Sequence, residues 1–191
     1  MTTFTELVDM VLKQEGVGME GNPSGLVEIP GDPGGLTNWG ISQRIYRTLR
    51  LGHEYHVYQS YPISVKDLTK EQALVIYEQE YWNKIPMKED LPLGVALVLF
   101  DSIVNQGPGT MVKALQMAVG VESDGVVGPK TLGAVKLALR NIPHLIEQIL
   151  WARAGQYAAL GRQSEVFAGF VSKLWLPRLL KVRKEALRLR V

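Results

Sequence analysis

At 191 residues the chain is long enough for one domain, or a domain of two lobes, with a sizeable buried core. Its 46% hydrophobic and 21% charged residues exclude disordered and fibrous classes, and the lack of cysteine excludes disulfide frameworks, thiol nucleophiles and Cys-based metal sites. The net charge of +2 is unevenly placed: Arg178 to Val191 holds six Lys or Arg against Glu185, a local +5 that leaves the remainder at −3.

The chain opens with apolar residues at Phe4, Leu7, Val8, Val11 and Leu12, the rhythm of an amphipathic helix over Thr3 to Gln14. Glu6 and Asp9 interrupt it, so it does not read as a signal peptide. No later stretch reaches the roughly 20 apolar residues of a membrane span. Gly16 to Gly35 holds seven Gly and three Pro and cannot be helical. Strands near Leu26–Ile29 and Asn38–Ser42, joined through the turn at Gly31–Gly35, predict a small β-ribbon near residues 26–42.

Beyond Ser42 the pattern is helical, over 42–51, 69–83, 92–105, 109–119, 130–139, 142–160 and 163–187. Thr69 with Gln72 forms a capping box, and Asn141 before Pro143 marks a further helix start. Seven or eight helices and one ribbon make a mainly α protein of α+β type.

Two carboxylates stand out. Glu15 sits where the first helix ends, and the negative end of a helix dipole disfavours an ionised carboxylate. A general acid for glycoside cleavage needs that, because it must still hold its proton near neutral pH. Asp32, seventeen residues later, offers a second acid, with Thr37 as a hydroxyl that could hold water and Trp39 as a flat face for a sugar ring. Each has a plainer reading: Glu15 as a surface acid, Asp32 as a turn former, Trp39 as core.

Glu15-Gly16, then Asp32-Pro33-Gly34-Gly35-Leu36-Thr37-Asn38-Trp39-Gly40-Ile41-Ser42, resembles the signature of the glycoside hydrolase family 108 N-acetylmuramidases, which include phage endolysins and bacterial secretion-activator muramidases. Tyr77-Glu78-Gln79-Glu80-Tyr81-Trp82 resembles a further stretch of that family. Phe100–Gly107, Leu115-Gln116 and Asp124–Leu132 resemble its C-terminal, predicted peptidoglycan-binding region. The family commonly shows two glycines after the glutamate, whereas Gly16 here is followed by Val17.

The resemblance implies a lysozyme-like fold, with a catalytic lobe over 1–97 and a helical C-terminal lobe over 98–191. It implies an endolysin-type muramidase that cuts the β-1,4 bond between N-acetylmuramic acid and N-acetylglucosamine in peptidoglycan. A lytic transglycosylase and a secretion-activator muramidase are the alternatives. Glu15 is expected as the proton donor, and Asp32 as the charge-stabilising or water-orienting acid, a role for which Glu20 and Glu28 compete. Thr37 is expected to place the water. Asn38, Trp39, Asp101, Asn105 and Gln106 are candidate substrate contacts, and for Asp101 and Asn105 interhelix hydrogen bonding is the competing role.

His53-Glu54-Tyr55-His56 is not a His-Glu-x-x-His motif and His144 is distant, so no metal and no organic cofactor are expected. Gly31–Gly35 lacks the context of a phosphate loop, and no nucleic-acid partner is expected. The expected state is a monomer made in the cytoplasm (of a host cell, on the endolysin reading) and acting on periplasmic peptidoglycan after release. The basic, leucine-bearing segment Pro177–Arg190 offers contact with outer-membrane or anionic lipid, unless its leucines dock on the body.

Overall fold

The computed structural model describes residues 4–14, 17, 18, 20–28, 34–52 and 56–189, with backbone alone at 56, 57, 166 and 167. Two compact units emerge, Met1–Gln79 and Glu80–Val191. The functional halves expected from sequence, 1–97 and 98–191, meet inside a helix and are a different division.

In the first unit, α1 (Phe4–Gln14) buries Leu7, Val8, Val11 and Leu12, the stripe that its 3.6-residue period predicts. Strands β1 (Thr37–Asn38) and β2 (Ile41–Ser42) pair antiparallel, Thr37 opposite Ser42 and Asn38 opposite Ile41. The hairpin therefore closes at Trp39-Gly40, inside the second expected strand. Both turn residues have positive φ, 50° and 72°, as a two-residue turn matching the strand twist requires. Among the described residues of the first expected strand, 26–28, one bridge forms, Val27 to Thr37; Ile29 and residues 31–33 of the expected turn lie outside the described residues.

Ser42 caps α2 (Gln43–Leu51), accepting from the Ile45 N–H. A 3-10 turn over Val65–Asp67 precedes α3 (Lys70–Glu80). The predicted capping box is present: the Thr69 N–H donates to Gln72 Oε1 at 3.1 Å, and the Gln72 N–H to Thr69 Oγ1 at 3.3 Å.

The second unit is built on α4 (Leu93–Gln106), buried without a break from Gly94 to Ile103. Such a helix has no polar face because α5 (Pro108–Ala118), α7 (Ile142–Gly161) and α9 (Leu176–Arg188) pack around it. Val95, Val98, Leu99, Phe100 and Ile103 are fully buried, each stabilising by about 1.5–3 kcal/mol. Gly94 is where α9 comes closest: a Cβ there would overlap the Ala186 carbonyl oxygen. Trp82, from the expected aromatic motif, meets Phe100 edge-on at 5.9 Å.

Between α5 and α6 (Pro129–Ala138) the chain is tied by buried Gln116. Its amide donates to Asp124 Oδ1, the Val126 carbonyl and Thr131 Oγ1, and its oxygen accepts from the Gly125 N–H. The residues of the Asp124–Leu132 motif are thus bonded to one another. Asn141 caps α7, accepting from the His144 N–H at 3.2 Å, with Pro143 in the first turn as expected.

The helix expected over 163–187 is divided into α8 (Glu165–Phe170), a π-helical turn over Val171–Trp175, and α9. Pro177 is the cause: it has no N–H, and its ring needs room at the Lys173 carbonyl, so the chain widens one turn earlier. The Leu176 N–H reaches back to the Val171 carbonyl. Among the described residues no helix is long and apolar enough to cross a membrane.

Candidate active site

The ribbon of the first unit is held on every side by hydrogen bonds that the glycine-rich segment makes available. Thr37 exchanges both backbone bonds with Val27, at 2.8 and 2.9 Å, while the Trp39 N–H donates to the Ser24 carbonyl at 2.8 Å. Asn22 braces the loop by donating to and accepting from the Leu26 backbone. The Gln43 side chain accepts from the Val65 N–H at 2.8 Å.

Asn38 is buried, and its Nδ2 donates to the carbonyls of Val65, Lys66 and Leu68 at 3.0, 3.0 and 3.2 Å. The opposite amide orientation would aim Oδ1 at three acceptors, so the donor assignment is forced. The sugar contact expected of Asn38 is therefore corrected: this side chain fastens the ribbon to the 3-10 turn. Trp39 is half-buried; its indole N–H donates to the Leu68 carbonyl at 2.9 Å, and its own carbonyl accepts from the Tyr77 hydroxyl at 3.0 Å. That fixes the indole edge. Gly40 completes the arrangement, since a Cβ there would stand 2.7 Å from the Tyr77 hydroxyl and 2.8 Å from Leu12 Cδ2. Thr37 is half-buried, with its backbone engaged on both sides.

Glu15 and Asp32, the two acids that the sequence singles out, lie outside the described residues. Their flanks are described: the Val17 N–H donates to the Leu12 carbonyl at 3.1 Å just past α1, and the Arg44 N–H to the Gly34 carbonyl at 3.1 Å. Of the competing acids, Glu20 is exposed, and Glu28 lines a surface cleft of about 500 Å³ with Arg44 and Arg47.

Asp101, Asn105 and Gln106 belong to the other unit, and the structure gives them different tasks. Asp101 has no exposed surface. Its Oδ2 accepts from Arg153 Nη2 at 2.7 Å, and its Oδ1 from Arg178 Nε at 2.9 Å. With both oxygens taken by buried guanidinium groups, no edge remains for a sugar, so that expected contact is corrected to an interhelix tie. Arg153 Nε also donates to Gln106 Oε1 at 2.9 Å, Gln106 Nε2 to Gln156 Oε1 at 3.1 Å, and Gln156 Nε2 to the Thr110 carbonyl at 3.1 Å. This chain ends at a cleft of about 470 Å³ lined by Asn105, Gln106, Thr110, Gln156, Tyr157 and Trp175. Asn105 is exposed there, donating only inward to the Asp101 carbonyl at 2.8 Å. Tyr157 and Trp175 stack at 4.8 Å.

Sequence reading missed Arg153, Arg178, Gln156 and the aromatic pair. A lone Asp inside an apolar helix signals that buried cations must exist elsewhere, but spacing cannot say which arginines they are. No group of three or more His, Cys, Asp or Glu suited to a metal occurs among the described residues; His144 is exposed, and His53 lies outside them.

An α-dominated chain with one tight ribbon following a glycine-rich segment, and polar clefts beside aromatic faces, fits a lysozyme-like carbohydrate enzyme. The family model described as Glycosyl hydrolase 108 matches residues 8–107, and the chain belongs to that family. Among solved structures, that of Brucella abortus SagA superposes with a TM-score of 0.73 at 35% identity, covering 98% of this chain and 95% of that one. No curated protein matches significantly. Family membership makes the chain a glycoside hydrolase and supports peptidoglycan as its substrate.

Proposed function

We propose that this protein is an endolysin-type N-acetylmuramidase, hydrolysing the β-1,4 bond between N-acetylmuramic acid and N-acetylglucosamine. The observation that carries the reading is the family match over residues 8–107, which encloses Glu15, Asp32 and the Thr37–Trp39 ribbon in one stretch. Glu15 protonates the leaving glycosidic oxygen, Asp32 stabilises the oxocarbenium-like charge or orients water, and Thr37 positions that water. Trp39 packs on a sugar ring in the first unit, while Asn105 and Gln106 are candidate glycan contacts of the second unit's own cleft. The N-terminal part, 1–97, carries the chemistry and 98–191 holds the strand. Cutting strands internally removes the layer that resists turgor, so lysis is the cellular outcome.

Glu15→Gln tests the assignment. The variant should fold as the parent, judged by circular dichroism, and lose turbidity reduction on permeabilised Gram-negative cells. A folded variant that keeps a tenth of the rate would transfer the acid to Glu20 or Glu28. Mass spectrometry of digested peptidoglycan should show new reducing ends on muramic acid. Sugar-free peptides would indicate an amidase, and 1,6-anhydro ends a lytic transglycosylase.

A further inference from the structure

The apolar stripe of α9 that the sequence offers to lipid is largely taken up inside the second unit: Leu179, Val182 and Ala186 are buried. A different apolar surface remains beside it. Trp151 of α7 is 72% exposed and Leu180 of α9 is 68% exposed, and with Leu150, Ala154 and Leu176 they line a groove of about 350 Å³. The groove is closed at one end by an ion pair, Arg183 Nη2 to Glu147 at 2.6 Å, which neutralises the acid at its rim. Burying an indole and two leucines in the folded unit would be favourable, yet the helices are placed so that these side chains face out.

Charge says what covers them. Lys173, Lys181 and Lys184 are exposed and make no ion pair among the described residues. Leu176, Leu180 and Lys184 follow one another at four-residue steps along α9, so cationic and apolar side chains share one helical stripe. The acids of the same helices, Glu147 and Glu185, are already paired with Arg183 and Arg188. Protein–protein interfaces are depleted in Lys and rarely leave several uncompensated at a hydrophobic centre. An indole and leucines between lysines, whose long stems let the ammonium groups reach phosphates while the apolar tips enter the acyl boundary, is the composition of an interfacial membrane contact.

We propose that the Trp151–Leu180 groove, with Lys173, Lys181 and Lys184, docks this protein on an anionic lipid bilayer surface. The contact goes beyond glycan hydrolysis and involves no residue assigned to it. It would hold the enzyme at the face of a membrane bordering its substrate, without crossing it.

The test is co-sedimentation of the full-length protein with large vesicles of phosphatidylcholine alone or mixed with phosphatidylglycerol, at low and high salt. Expected is binding to the mixed vesicles at low salt that falls as salt rises, because exposed charges are screened. Replacing Lys173, Lys181 and Lys184 together by Gln should lower that affinity on the order of a hundredfold, since each lysine contributes roughly fivefold near an anionic surface. The double variant Trp151→Ser with Leu180→Gln should lower it at least about tenfold. Both variants change exposed side chains, and their melting temperatures and hydrolysis of purified sacculi should match the parent, which separates failure here from failure of the muramidase reading. No binding to mixed vesicles at low salt would overturn the proposal, as would equal binding to neutral vesicles or binding that neither variant weakens. A concentration-dependent dimer abolished by the double variant would assign the groove to a second copy instead.

Discussion

Replacing Asp101 by Asn preserves shape while deleting a buried negative charge that faces Arg153 and Arg178, each at 2.7 Å. Arg153 is wholly buried and Arg178 nearly so. Breaking a buried pair from one side costs about 3–5 kcal/mol, because the surviving cation keeps its desolvation penalty without the attraction that offset it. Arg153 survives with no exposed surface, which places the expected loss within that range. At about 2–4 °C per kcal/mol for a chain of this size, the melting temperature should fall by about 10–15 °C. Thermal and urea unfolding followed by circular dichroism measure this, alongside hydrolysis of purified sacculi where parent and variant are both folded. The rate per folded molecule should stay within about twofold, since the carboxylate has no edge open to substrate. A stability loss below about 1 kcal/mol would refute the triad as the tie between these helices. Unchanged stability with a raised KM would return Asp101 to the role of a sugar contact.

Three further outcomes follow from the same geometry. Gly40→Ala should destabilise the first unit by more than the roughly 1–2 kcal/mol of a left-handed non-glycine residue, because the added Cβ also meets the Tyr77 hydroxyl and Leu12; urea unfolding measures it. Asn38→Ala leaves the carbonyls of Val65, Lys66 and Leu68 without their shared donor, and should cost about 1–3 kcal/mol with faster amide exchange at β1 and β2. Asp124 is held below the ordinary aspartate range, first by the Val126 N–H and then by the Gln116 amide, both of which favour the carboxylate. Its stabilisation is therefore complete above the unfolded aspartate pKa and is lost as pH falls through the lower folded value. NMR titration should place its midpoint below that of an unfolded-peptide aspartate, and a midpoint at or above the peptide value would contradict the geometry.

What could be read along the chain was what depends on near neighbours. The first helix shows its buried stripe at Leu7, Val8, Val11 and Leu12 because three- and four-residue spacing places them on one face. The Thr69–Gln72 box and the Asn141 cap were legible because both partners lie within one turn. The helix expected over 163–187 runs straight through Pro177; its division and the widening to a π-helical turn depend on how the chain is held on either side.

Tertiary structure decided the rest. The β1–β2 pair closes at Trp39-Gly40 because Tyr77 and Leu12 leave room there only for glycine and the Leu68 carbonyl receives the indole N–H. Asn38 and Asp101 carry groups suited to sugars, and their burial against carbonyls and arginines distant in sequence turns both into ties. Trp151 and Leu180 look like core residues in a list of amino acids, and only the docking of α9 through Leu179 and Val182 leaves them facing outward. Spacing along a helix says which residues share a face, but burial and hydrogen-bond pairing are set by whichever distant segment packs against that face.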